Sequence, residues 1–220
     1  MNNLKRTLYT IYSKIRKNYF LSYKELHDHL KKVNDNSKKI ENKKEIIVFS
    51  PVSDGIPEHW FYKTTITKGL APRGIKVVHG QCNHDFPICD LHLRRMFFSE
   101  SEKLQALFKC GNCRAVNETV YKNTDMSYVV LSNYIDKASQ KRVKTALSAI
   151  DFLNYNSKMP IKYDGVDLQE ALFATLRGFP RGAKMPLKYL KQFFETVMLA
   201  TEAYSKIYQE LKPDYLLIFN

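Results

Sequence analysis

Two groups of residues carry chemistry by their type and spacing. The first is the full complement of four cysteines, Cys82, Cys89, Cys110 and Cys113, in the pattern C-x6-C-x20-C-x2-C. The tight pair encloses Gly111 and Asn112, a two-residue knuckle that lets two thiolates face one soft cation. Zinc held by four protein ligands would be structural, because no coordination position is left for water. His79, His84 and His92 lie in or beside this stretch and could each replace a thiolate. Buried free thiols packing as small hydrophobes, or a redox pair at Cys110 and Cys113, are the other readings of the same residues. The second group is Ser53, Asp54, Gly55, Glu58 and His59, between an apolar run and an expected helix. Asp54, Glu58 and His59 are the candidate catalytic bases, able to take a proton from a substrate hydroxyl. Two carboxylates at a helix start disfavour a phosphate there and favour a neutral, hydroxyl-rich ligand. Simple capping of the helix is the other reading of Asp54 and Glu58.

These residues need elements to hold them. Glu45–Ser50 reads as a short buried strand, and residues from Pro57 to Arg73 as a helix, with proline suited to its first turn. Trp60, Phe61, Thr64, Ile66 and Leu70 are expected on the inner face of that helix. Ile75–His79 is a second strand, completing a βαβ unit of about 35 residues. The cysteine-rich insert, residues 79–118, contains a short helix over Ser99–Phe108 and is followed by a strand at Tyr128–Leu131. Val143, Leu147 and Ile150 mark a further helix. Asp167-Leu168-Gln169-Glu170 opens another, which Gly178 closes. A long helix over Leu187–Leu211 points Leu190, Phe194, Val197, Tyr204, Ile207 and Leu211 inward. After Pro213 and Asp214, Tyr215–Phe219 forms the last strand. The fold class expected is α/β, with a Rossmann-like parallel sheet flanked by helices. No G-x-G-x-x-G and no Walker A pattern occurs, so a dinucleotide or P-loop site is not expected.

The chain has 220 residues and a formal net charge of +13. Residues 1–44 carry twelve Lys or Arg against four Asp or Glu, so most of the excess belongs to an arm. There Leu4, Leu8, Ile11, Ile15 and Tyr19 recur at helical spacing, with Lys5, Arg6, Lys14, Arg16 and Lys17 mostly elsewhere on the wheel. Such a basic amphipathic helix can dock on the domain, lie on an anionic membrane surface or grip phosphates. Residues 31–44 read as a solvated linker. No apolar run reaches the ~20 residues of a spanning helix, and no secretory signal is visible, so a cytoplasmic protein is expected. In that compartment thiols stay reduced, which favours a metal site over disulfides.

The ordered pieces Ile46–Ser50 with Trp60, Arg73–Val77, Cys82, Cys89, Cys110, Cys113 and Lys212–Asn220 resemble the N-terminal half of bacterial capsular and surface-polysaccharide glycosyltransferases. These enzymes are of the GT-B type, with two Rossmann-like domains. The resemblance covers about residues 45–220, and Asn83-His84-Asp85 departs from the Asp-Gly usual after the first cysteine. It implies an acceptor-side domain. The nucleotide-sugar donor would bind mainly to a C-terminal domain that this chain lacks, so the chain reads as the front part of a longer protein. It further implies catalytic residues in the Asp54 loop, with Ser53, Gly55 and Asn220 contacting substrate; from their own chemistry Arg177 and Arg181 could meet an acceptor diphosphate or form a solvated basic loop, and Trp60 could stack on a sugar or pack in the core. The implied partners are a glycan or lipid-linked acceptor and, through residues 1–44, the inner membrane face. The alternatives are a zinc-containing, basic nucleic-acid-binding protein and a truncated, non-catalytic remnant. The confinement of charge to the arm and the lack of a finger, RRM or KH pattern argue against nucleic acid.

Overall fold

The structure, a computed structural model, describes residues 28–32, 46–51, 57–83, 85–88, 113–155, 160–169, 172 and 186–218. The chain divides into two compact units. The first comprises Met1–Asn83, Leu104–Val130 and Tyr208–Asn220; the second comprises His84–Lys103 and Leu131–Ile207.

The first unit holds strands β1 (Ile46–Ser50), β2 (Ile75–Gln81) and β3 (Ser127–Val130), and helix α1 (Pro57–Leu70). Residues 113–123 form a second helix, α2. All strand pairs in its four-stranded sheet are parallel. The strand that ends the chain, Tyr215–Leu216, lies beside β1 on the side away from β2. Parallel strands buried on both faces read as continuous apolar runs, and Ile46-Ile47-Val48-Phe49 is one. A short 3₁₀ turn, Ala71–Arg73, links α1 to β2. Gly74 then adopts a left-handed conformation (φ 74°) and returns its N–H to the Ala71 carbonyl at 3.0 Å, a geometry that favours glycine.

Helix α1 meets the expectation at Trp60 and Thr64 and departs from it at Ile66. Trp60, Lys63, Thr64, Thr67 and Lys68 are buried, whereas Ile66 is 37% and Tyr62 66% exposed. The apolar pattern of the helix is nearly uniform around its wheel, so packing decides its orientation. Trp60 decides it, joining Leu30, Ala115, Val116, Val120 and Met126 in one cluster. The helical segment 28–32 supplies Leu30, and His29 Nε2 bonds the Phe61 carbonyl at 3.1 Å.

The second unit holds helix α3 (Lys137–Ser148) and the hairpin β4 (Lys162–Tyr163) to β5 (Val166–Asp167). It also holds most of helix α4 (Leu187–Leu211), which precedes β6, the Tyr215–Leu216 strand. Asp164 and Gly165 both have positive φ (49° and 76°), as a tight type I′ connection requires. The core gathers Val143, Phe152, Leu168, Phe193, Phe194 and Met198. Thr196 Oγ1 fastens Ile88, accepting from its N–H at 3.3 Å and donating to its carbonyl at 2.7 Å.

The long helix has the bounds expected. The helix marked by Val143 and Leu147 ends before Ile150. In the opened segment, Asp167 Oδ1 accepts from Gln169 N at 2.9 Å and Leu172 N bonds the Leu168 carbonyl, as the capping pattern requires. The arm helix, the Ser99–Phe108 helix and Gly178 lie outside the described residues.

Candidate functional site

Strand order in the sheet is β3-β2-β1-β6. The chain builds outward from β1 through β2 to β3, then returns to the other side of β1. Such a reversal opens a crevice beyond the carboxyl ends of the two strands that flank it, here β1 and β6. Asp214 sets the geometry at the opposite end. Its N–H donates to the Ile47 carbonyl at 2.8 Å and its carboxylate accepts from Ile47 N at 2.9 Å. Leu217 N continues the ladder to the Phe49 carbonyl at 2.9 Å.

A row of buried polar side chains lies between the sheet and α1, close to this end. Ser50 and His79 are paired neighbours on β1 and β2, and both are buried. Lys63 and Thr67, one helical turn apart, sit over them. Lys63 Nζ lies 3.4 Å from Ser50 Oγ, and Thr67 Oγ1 is 3.1 Å from His79 Nε2. Burial, reinforced by the Lys63 charge, pushes the His79 imidazole down to about 3, so it is neutral at physiological pH. A neutral imidazole here positions and accepts, but it is no proton reservoir. Its Nδ1 has no hydrogen-bond partner among the described residues. Lys68 makes an ion pair with Asp125, and desolvation lowers its ammonium.

Trp60 is a core residue in this structure, only 1% exposed. Its N–H donates to Asn117 Oδ1 at 3.1 Å, the Tyr121 ring meets it edge-on, and Lys63 Nζ lies 5.7 Å from its centroid. No open indole face is left for a sugar. His59 is exposed on the first turn of α1. Glu58 belongs to the same turn, but its side chain lies outside the described residues, as do Ser53, Asp54, Gly55, Arg177, Arg181 and Asn220. Cys82 follows β2 and Cys113 begins the described part of α2, and both are half-buried. Cys89 and Cys110 lie outside the described residues. Among the described residues no three His, Cys, Asp or Glu side chains gather as a metal site. Nor is any described helix long and apolar enough to cross a membrane.

No protein-family model, curated protein or solved structure matches this chain. What the chain can do is therefore argued from its own geometry.

One polar centre escaped the sequence reading. In the second unit Glu202, 5% exposed, accepts from Tyr163 OH at 2.6 Å, Ser139 Oγ at 2.8 Å and Arg142 Nε at 2.8 Å, and a second Arg142 nitrogen closes on it. The Arg142 hydrogen bond is the chief reason its carboxyl is pulled down to about 2. Lys206 Nζ bridges Ser139 Oγ and Asp136, at 2.8 and 2.9 Å. Every lone pair of Glu202 is spoken for, so this centre ties α3, β4 and α4 together and has no capacity left for catalysis. Its signal was a carboxylate in register with Phe194 and Met198 on the inward stripe of a helix.

Proposed function

We propose that the chain is the acceptor-side part of a glycosyltransferase of bacterial surface-polysaccharide biosynthesis, which uses a nucleotide-sugar donor. The observation that supports this reading most is the parallel β3-β2-β1-β6 sheet, whose order reverses at β1. In sequence, the loop with Ser53, Asp54 and Gly55 leaves the carboxyl end of β1, where such sheets take their ligands. In this reading Asp54, with Glu58 and His59, faces an acceptor hydroxyl. Arg177 and Arg181 supply charge for an acceptor diphosphate, and Asn220, which follows β6 in sequence, contacts substrate. The cysteine quartet holds a structural zinc that pins the insert, and the basic arm keeps the protein at an anionic membrane face.

Binding of a polyprenyl diphosphate-linked disaccharide to the full chain in detergent micelles tests the reading. Saturable binding is expected, weakened about tenfold in Asp54→Ala, the effect of losing one hydrogen bond to a charged group. Absence of saturable binding overturns it. So does preference for an oligonucleotide whose affinity falls steeply with salt.

A further inference from the structure

We propose a sugar-binding groove in the second unit, apart from the Asp54 loop. An open groove of about 380 Å³ runs between the end of α3 and the first turns of α4, within the range of about 300–1,000 Å³ typical of ligand sites. Leu147, Ile150 and Phe152 form its apolar floor, and Lys191, Gln192 and Glu195 stand along one wall. Ser148 completes the lining from the α3 side.

Two features fix the wall. Lys191 Nζ lies over the Phe152 ring, 5.4 Å from its centroid, a cation–π contact that orients the ammonium. Phe152 is in turn held edge-on by Phe194 at 5.2 Å, and Tyr155 meets Phe194 at 5.1 Å. The floor therefore rests on a packed aromatic cluster, and a ligand would meet a preformed surface.

The lining chemistry selects the ligand class. One ammonium and one carboxylate leave the groove without net charge, so an anion such as a diphosphate gains little there. Lys191 donates only, Glu195 accepts only, and Gln192 does both. The Ser148 hydroxyl donates to the Thr145 carbonyl at 2.7 Å and keeps its lone pairs for an outside donor. A mixed wall of this kind matches vicinal hydroxyls, each of which is donor and acceptor at once. An apolar floor beside it matches the C–H face of a pyranose ring. The occupant assigned is thus a neutral hexopyranose unit of a glycan. This rests on the transferase reading for its glycan, but it uses none of the residues of that loop.

The test is titration of the isotopically labelled full chain with methyl glycosides of glucose, galactose, rhamnose and N-acetylglucosamine, followed by amide NMR. Expected are shifts at Ser148, Ile150 and residues 191–195 for at least one of them, with an affinity of about millimolar, as a ligand this small allows. Gln192→Ala and Glu195→Ala should each weaken binding about fivefold to tenfold. Ser148→Arg, at an exposed helix end, should block the groove while Lys162→Ala leaves binding unchanged. No shift with any glycoside, or equal affinity in wild type and Ser148→Arg, overturns the proposal; so does a response to inorganic phosphate alone at these amides. Glycoside binding here without any affinity for the lipid-linked disaccharide would leave the groove standing and remove only the transferase reading.

Discussion

Among single residues, Glu202 and His79 show two ways in which an interior holds an ionisable group. His79 remains neutral because burial, reinforced by the Lys63 charge, disfavours its protonated form. Glu202 remains charged because Arg142, Tyr163 and Ser139 replace its water. The linkage follows from that difference. The folded carboxyl titrates at about 2, against an ordinary value of 4.5. The unfolded chain therefore takes up a proton first as pH falls. The stability that Glu202 contributes is complete above its unfolded pKa and is lost as pH falls from about 4.5 through about 2. Urea unfolding across pH 2–7 should show that loss in wild type and a flatter profile in Glu202→Gln. At pH 7 the substitution should cost about 2–3 kcal/mol, as expected for hydrogen bonds to a buried charge. Parallel profiles for the two proteins would mean that Glu202 is not the group titrating. Residues of this kind are poorly legible in a sequence. A lone glutamate in a helix of apolar stripe reads as a solvated face until its partners, 39 to 63 residues away, are in place.

At the scale of elements, the strands of the parallel sheet were the most legible part, β1 as an apolar run and β2 through Val77 and Val78, whereas the strand expected over Tyr215–Phe219 is found over Tyr215–Leu216, both exposed. Ile46–Ser50 was found as expected, and Ile75–His79 only needed two more residues, Gly80 and Gln81. Parallel pairing of β1 with β2 and of β1 with β6 follows the expected βαβ logic. The orientation of α1 was legible at Trp60 and Thr64 but not at Ile66, because its wheel has no dominant apolar side. The Asp164-Gly165 hairpin carries a clear turn signal, but its strands are two residues each, too short for any alternation to show. The exposed side of α1 has a mutational consequence that departs from the expectation at Ile66. Ile66→Lys and Tyr62→Lys should change stability by no more than about 0.5 kcal/mol. Trp60→Ala, which empties the cluster around Leu30 and Val116, should cost about 3–5 kcal/mol. A large loss at Ile66 in chemical denaturation would show that this face is covered.

The whole molecule joins a nearly balanced body to a strongly basic arm, and the candidate loop after β1 was legible only as a position in the βαβ order. The packing of residues 28–32 bears on how the arm can be tested. Leu30 is fully buried beside Trp60, and His29 bonds α1, so removing residues 1–44 would also remove a piece of the core. Any loss of binding after that deletion would confuse arm with body. A charge reversal upstream of the anchor avoids this. If the arm meets an anionic bilayer, each Lys or Arg at the surface contributes about 1 kcal/mol. Replacing Lys14, Arg16 and Lys17 by glutamate should then lower co-flotation with phosphatidylglycerol vesicles by two orders of magnitude or more, by about that energy per site. Wild-type flotation should weaken as salt is raised, since the attraction is screened within about 8 Å at physiological ionic strength. Binding to neutral phosphatidylcholine vesicles should be weak in both proteins. Equal flotation of wild type and the triple variant would place membrane contact elsewhere on the chain. Loss of oligonucleotide affinity, with vesicle binding absent throughout, would instead assign the arm to phosphate backbones.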